Sequence, residues 1–190
     1  MLKTNISSED ATDDSLLLRT GRGDLEAFRL LIRRHQGSVT RFASRLLNGD
    51  RSTAEDIGQE AFIRLFRAAK SYSARGEMRA FLLTTTRNLC RDHYRRERST
   101  EGLDTILNHV DPSPTGEGLV VLQERSDALR KAIAALPEEQ QAVLILSYYE
   151  GIPYVEIADI VGCPIGTVAS RKYHALATLR RLLQPYVEEK

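Results

Sequence analysis

The sequence predicts an all-α protein: two small helical domains joined by a flexible linker, the C-terminal one built around a helix-turn-helix. Three observations carry that reading. Apolar residues recur at helical spacing through nearly all of the 190 residues, and alternating strand patterns are almost absent. One stretch, Ser99 to Gly118, loses the period and contains Asp111-Pro112-Ser113-Pro114-Thr115-Gly116, the composition of a tether. Finally, Tyr154 to Leu183 reads as two helices around a tight turn at Gly162-Cys163-Pro164, with Gly closing the first and Pro opening the second.

Taken in order, residues 1–23 are polar and acidic, and they read as a flexible tail rather than part of a core. A first domain spans 24–98. Its opening helix, Asp24 to Leu47, starts with an acidic turn and lines Phe28, Leu31, Val39, Phe42 and Leu46 along one side; Asn48-Gly49-Asp50 ends it. Ser52 and Glu55 have the spacing of a capping box for the next helix, Ala54 to Ala69. That helix offers Ile57, Ala61 and Leu65 to a core, with Phe62 and Phe66 as further apolar residues. A polar bend, Ser71 to Glu77, leads to a third helix from Met78 to Arg98, apolar at Phe81, Leu82 and Leu83 and densely basic at its end.

After the linker at 99–118, a second domain spans 119–190. Helix runs from Leu119 through Ala135, breaks at Leu136-Pro137, and resumes with Val143, Leu144, Leu146 and Tyr148. In the helix-turn-helix, Val155, Ala158 and Val161 form the apolar face of the first helix, with Ile157 and Ile160 beside it. Val168, Leu176, Leu179 and Leu183 point the second helix inward, which leaves Thr167, Ser170, Arg171 and His174 outside. Such a second helix enters a DNA major groove with its N-terminal residues at base edges, although helical hairpins also occur without DNA.

The formal net charge is only +1, but the charges are segregated. Between Arg64 and Arg98, ten basic residues face only Glu77, Asp92 and Glu97, and the final helix adds Arg171, Lys172, Arg180 and Arg181. Acid collects in the tail and between Glu101 and Asp127. Two basic segments divided by an acidic one suit two contacts on a polyanion. No apolar run is long enough to span a membrane, and no signal-peptide stretch opens the chain, so a cytoplasmic protein without membrane insertion is expected. With two cysteines, Cys90 and Cys163, a disulfide framework is not expected. An enzyme is not expected either: there is no phosphate-cradling glycine loop, no nucleophile elbow and no paired carboxylates placed for two metals. No cofactor is implied.

Two blocks, AEDIGQEAFIRLFRA followed by MRAFLLTTTRNLCRDHYRRER, and then ALPEEQQAVLILSYYEGIPYVEIADIVGCPIGTVASR, resemble the sigma-70 family of bacterial RNA polymerase sigma factors. Their order resembles the small, two-domain extracytoplasmic-function type, and they cover nearly all of the chain outside the tail and linker. The resemblance implies a promoter-specificity subunit that binds core RNA polymerase and promoter DNA, with an anti-sigma factor as a further partner. It implies that the first domain melts the downstream promoter element and the second reads the upstream one. An autonomous helix-turn-helix regulator is the alternative, and it would leave the arginine-rich third helix unexplained.

By resemblance, core polymerase docks on Asp56, Gln59 and Glu60, with Phe62 and Phe66 as apolar contacts; the three polar residues share one helix side, which is also how a solvated face looks. Opening a duplex needs cations for phosphate and holders for unpaired bases. Arg87, Arg91, Arg95, Arg96 and Arg98 supply cations, and Asn88 matches the family's Arg-Asn pair, its amide suited to a base edge. The bend containing Tyr72 and Arg75 matches the loop that captures a flipped base; Tyr72 reads equally well as a core residue. Phe81 and Met78, which depart from the family's usual Trp and Phe, read as packing substitutions.

For the upstream element the matching residues are Thr167, Ser170, Arg171, Tyr173 and His174. Ala169 and His174 stand where family members commonly carry a basic residue and Arg, so a different sequence preference is expected. Arg180 and Arg181 hold phosphate or simply solubilise the helix. Cys90 and His93 have a spacing open to two metal ligands, but no second close pair follows; no metal site is expected, and Cys90 reads as a small buried residue on the side of Leu83 and Arg87.

Overall fold

The computed structural model describes residues 11–73, 76, 78–100 and 117–187, with side chains described for all of these except 98–100, 117–123 and 187. Among the described residues the chain is helical throughout: α1 (Asp13–Gly21), α2 (Leu25–Leu46), α3 (Arg51–Ala68), a 3-10 turn (Ala69–Ser71), α4 (Met78–Thr100), α5 (Glu117–Ala134), α6 (Glu138–Tyr148), α7 (Tyr154–Val161) and α8 (Ile165–Val187). No described helix is long and apolar enough to cross a membrane.

The first finding departs from the expected tail. Residues 13–21 are helix α1, begun by Thr12, whose side chain accepts from Ser15 N, with Asp13 and Asp14 in the acid-favouring first turn. Leu16 and Leu17 are fully buried, so α1 belongs to the first domain's core. Its end presses on the 3-10 turn: a Cβ on Gly21 would lie 2.2 Å from the Ala69 carbonyl oxygen. A second correction concerns the start of α3. Its cap is Asp50, accepting from Thr53 N at 3.0 Å, and Ser52 lies inside the helix. Asp50 follows Asn48 (φ 56°) and Gly49 (φ 100°), whose left-handed backbone turns the chain out of α2.

Helices α1 to α4 pack around Leu31, Phe42, Leu65, Met78 and Leu82, and α2 meets α3 closely at Gly58. The buried cluster does not stop at this bundle. It continues past Leu83 and Cys90 of α4 to Ile145, Ile157, Ile160 and Val168 of the second half. Accordingly α4 packs on α7 and α2 on α6. A smaller cluster joins α5 to α8 through Ile133, Leu136, Leu144, Ala175 and Leu179.

The expected apolar faces hold with specific exceptions. Val155 is 61% exposed and Leu176 36%: α7 turns Ile157 and Ile160 inward in place of Val155, and α8 buries Ala175 beside the expected Val168 and Leu179. Tyr148 and Phe81 are also exposed, so Phe81 is not the packing residue expected. Met78, by contrast, is buried. Gly162 ends α7 in the left-handed conformation (φ 68°, ψ 44°), with Cys163 N donating back to Ala158 O, which is the glycine-closed turn the sequence indicates.

Candidate polymerase and nucleic-acid interfaces

On α3, Asp56 and Gln59 are exposed, and Glu60 accepts from Arg64 Nε at 2.8 Å one turn away. The two phenylalanines divide. Phe62 is buried, edge-on to Phe28 at 6.5 Å, whereas Phe66 is 39% exposed and lies 5.0 Å from the same ring. Leu25 and Ile63 are exposed too. An open groove between α2 and α3, lined by Phe28, Ile32, Thr40, Gln59, Phe62 and Ile63, adjoins this face. Polar residues beside a partly exposed apolar strip make a surface that a helical partner can bury.

The arginines of α4 separate in the same way. Arg91, Arg95 and Arg96 are exposed and Asn88 is half-buried. Arg95 lies 3.6 Å from Asp92, and Arg96 Nε donates to the Asp92 carbonyl at 3.2 Å, a short-range local arrangement that leaves both near solvent. Arg87 is different. It is 6% exposed and faces α6, with Nη2 3.5 Å from Glu138 and 3.9 Å from Glu139. Burial pulls its guanidinium below the ordinary value, with the Glu138 carboxylate opposing the shift. Its Nε is buried without a hydrogen-bond partner. The Arg75 position lies outside the described residues, as does the Arg98 side chain.

Tyr72 is half-buried and its hydroxyl donates to Asp14 Oδ1 at 2.6 Å; Gly76 N donates to Asp14 Oδ2 at 2.5 Å. One carboxylate from α1 therefore holds both Tyr72 and Gly76. Neither composition nor spacing singles out Asp14, since only the packing of Leu16 and Leu17 brings it there.

On α8, Ser170, Tyr173 and His174 are exposed and Thr167 is half-buried. The Tyr173 and His174 rings meet edge-on at 5.6 Å. Arg171 instead turns inward to pair with Glu139. Lys172 sits over the rings of Tyr148 (4.5 Å) and Tyr154 (5.1 Å), bracing α8 against α6 and α7. The Cys90 thiol is buried and pushed up to about 12, first by desolvation and then by Glu138, the reverse of what a ligating or redox-active thiolate needs. His93 lies 3.2 Å from Glu97, one turn along α4.

Residues 31–100 match Sigma-70 region 2, and residues 126–179 match Sigma-70, region 4. Over 192 aligned residues the chain is 32% identical to the ECF RNA polymerase sigma-E factor of Escherichia coli (strain K12), covering 95% of this chain and 98% of that protein. The chain belongs to the extracytoplasmic-function sigma-70 family. It is also 28% identical to the ECF RNA polymerase sigma-E factor of Haemophilus influenzae, over 94% of this chain and 98% of that one. Among solved structures the fold is similar to CnrH in complex with the cytosolic domain of CnrY (TM-score 0.70, 22% identity, 91% of this chain and 97% of that chain). It is likewise similar to RpoE of Bartonella quintana in complex with the anti-sigma factor NepR (TM-score 0.65, 23% identity, 83% and 96%). This sigma factor is thus a non-enzymatic subunit of RNA polymerase acting in transcription initiation, and its two family regions fall on α2–α4 and α5–α8.

Proposed function

We propose that this sigma factor docks on core polymerase through the α3 face of Asp56, Gln59 and Glu60, with Phe66 as the exposed apolar contact and Phe62 holding the face from beneath. Residues 24–98, extended by α1, form the domain that opens the downstream element, using Tyr72, Arg75, Asn88, Arg91, Arg95, Arg96 and Arg98, and Arg87 once it is freed from α6. Residues 119–190 form the upstream reader, through Thr167, Ser170, Arg171, Tyr173 and His174, and residues 99–118 connect the two. The protein works in the cytoplasm. CnrH and the Bartonella RpoE were each solved with a bound second protein, and an anti-sigma factor is proposed as a partner here as well.

The observation that supports this reading best is the separation of surfaces within one bundle. The exposed polar and apolar face lies on α3, and the exposed Arg91, Arg95 and Arg96 lie on α4. A chain that only bound DNA would have no use for the first surface. Gln59→Lys together with Glu60→Lys makes the face basic at exposed or half-exposed positions, where an ion pair contributes at most about 1 kcal/mol, so the fold should survive. Core binding should be lost, and with it run-off transcription from promoter fragments. Unchanged affinity for core would remove the docking assignment, and tight sequence-specific duplex binding by the chain alone would favour an autonomous regulator.

A further inference from the structure

Helix α1 ends against the 3-10 turn, so close that a Cβ on Gly21 would lie 2.2 Å from the Ala69 carbonyl oxygen and 3.4 Å from Lys70 N. Cations cluster at this junction. Arg22 follows Gly21, Lys70 follows Ala69, and Arg67 stands three residues before Lys70 on the same side of the α3 end. All three side chains are exposed. The two segments that meet here, residues 15–23 and 61–73, contain no aspartate or glutamate.

The other cations nearby are engaged. Arg19 pairs with Asp24 at 2.8 Å, Arg64 pairs with Glu60 at 2.8 Å, and Arg79, just past the bend, faces Glu156 at 3.8 Å. Among the described residues, Arg22, Arg67 and Lys70 have no acidic partner. Helix C-termini favour a cation, but Arg19 and Arg67 already meet that preference in the last turns of α1 and α3. Arg22 and Lys70 add charge beyond it, and like charges gathered this way repel unless an anion joins them.

The position of the cluster says which anion. Lys70 is two residues before Tyr72, so their Cα atoms lie within about 7 Å of each other. Arg91, the first of the exposed arginines of α4, is about 20 Å along that helix from Met78. A base held in the bend is therefore far from the α4 arginines and next to the α1 junction.

We propose that Arg22, Arg67 and Lys70 form a further nucleic-acid contact, binding backbone phosphates of the unpaired promoter strand where it leaves the bend over the 3-10 turn. The inference rests on the reading of the bend as the holder of a flipped base. An unpaired strand is gripped by cations along its backbone together with a holder for its bases. With α4 on one side of the bend and the α1 junction on the other, the strand is held on both sides of the captured base, which opposes re-pairing.

The test uses holoenzyme assembled from the full-length chain and core polymerase. It is titrated with fork fragments of a promoter recovered by run-off transcription, duplex upstream and with either strand left as a downstream overhang. Arg22→Gln, Arg67→Gln and Lys70→Gln together should weaken binding of one overhang about tenfold, as expected for three exposed charge contacts, with core affinity and melting temperature at the parent's level. Methylphosphonate linkages, which neutralise chosen phosphates of that overhang, should weaken the parent by a similar factor and leave the triple variant unaffected. Arg22→Lys, Arg67→Lys and Lys70→Arg together should bind as the parent does. Unchanged affinity for both overhangs, or an equal methylphosphonate loss in parent and triple variant, overturns the phosphate contact. Loss of core affinity overturns it in favour of an acidic polymerase surface. Tyr72→Ala, which should weaken the same fork, separates the two readings. If it fails to bind while the triple variant binds normally, the bend stands and the cation contact falls; if it binds normally, the bend reading falls and takes the proposed strand path with it.

Discussion

Asp14→Asn should cut promoter opening although the residue lies on a helix outside both matched family regions. Asp14 receives the Tyr72 hydroxyl at 2.6 Å and the Gly76 amide at 2.5 Å, one on each carboxylate oxygen. Hydrogen bonds to a charged group contribute about 1.5–3 kcal/mol each, and the half-exposed setting places these at the lower end. Asparagine keeps one acceptor oxygen and turns a donor toward the other partner, so about 1.5 kcal/mol of ordering is lost. That corresponds to roughly a tenfold drop in the equilibrium constant for holding Tyr72 and Gly76 on α1. If the bend captures a base of the downstream element, run-off transcription with saturating core should fall, by up to that factor, while affinity for core stays at the wild-type level. Tyr72→Phe removes one of the two bonds and should give a smaller loss of the same kind. Wild-type transcription by Asp14→Asn alongside a defective Tyr72→Phe would refute the argument, because Tyr72 would then act without its tether.

Two further outcomes test the fold. Gly21→Ala should lower thermal stability by about 3 kcal/mol, since its Cβ would meet the Ala69 carbonyl oxygen at 2.2 Å and backbone must shift; a melting temperature equal to wild type would show that α1 is not seated against the 3-10 turn. Alkaline pH should weaken the protein through Cys90. Its thiol is held at about 12 against an ordinary 9.0, so the folded chain keeps a proton that the unfolded chain loses. The stabilisation is complete below pH 9 and disappears as pH rises toward 12. Urea midpoints measured from about pH 9 to 11 should therefore fall more steeply for wild type than for Cys90→Ala, and parallel slopes would contradict the buried assignment.

Much of this arrangement is legible in the sequence because it depends on local rules. The Gly162-Cys163-Pro164 turn is closed by a left-handed glycine, and α2 shows Leu31, Val39, Phe42 and Leu46 at helical spacing and buries all four. Helix α1 is hidden because its nine residues carry too few apolar positions to show a period, and its neighbours look like a solvated acidic tail. Its order comes from α2 and the 3-10 turn, against which it packs. The exposure of Val155 and Leu176 is illegible for a related reason. An apolar stripe marks which residues are able to face a core, and the placement of α4 against α7 and of α5 and α6 against α8 decides which ones do. Among the candidate sites, the exposed Asp56, Gln59, Arg91 and Tyr173 could be read as surface from helix geometry. The burial of Arg87, the inward turn of Arg171 and the enclosure of Glu150 by α2 all depend on residues more than thirty positions away.

The sharing of Glu138 and Glu139 with the two arginines also affects how ions redistribute when the protein meets a promoter. A free arginine that neutralises a phosphate releases the counterion condensed there, and each such contact steepens the fall of affinity with salt by nearly one power of concentration. Here Arg87 and Arg171 are already paired, so if they move to phosphate as proposed, two carboxylates are left that must recruit cations of their own from solution. On that reading, ions are given up at the DNA and taken up at α6. The salt dependence of promoter engagement should thus be shallower than the number of arginines on the DNA implies, and promoter engagement would stay effective across a wider range of ionic strength.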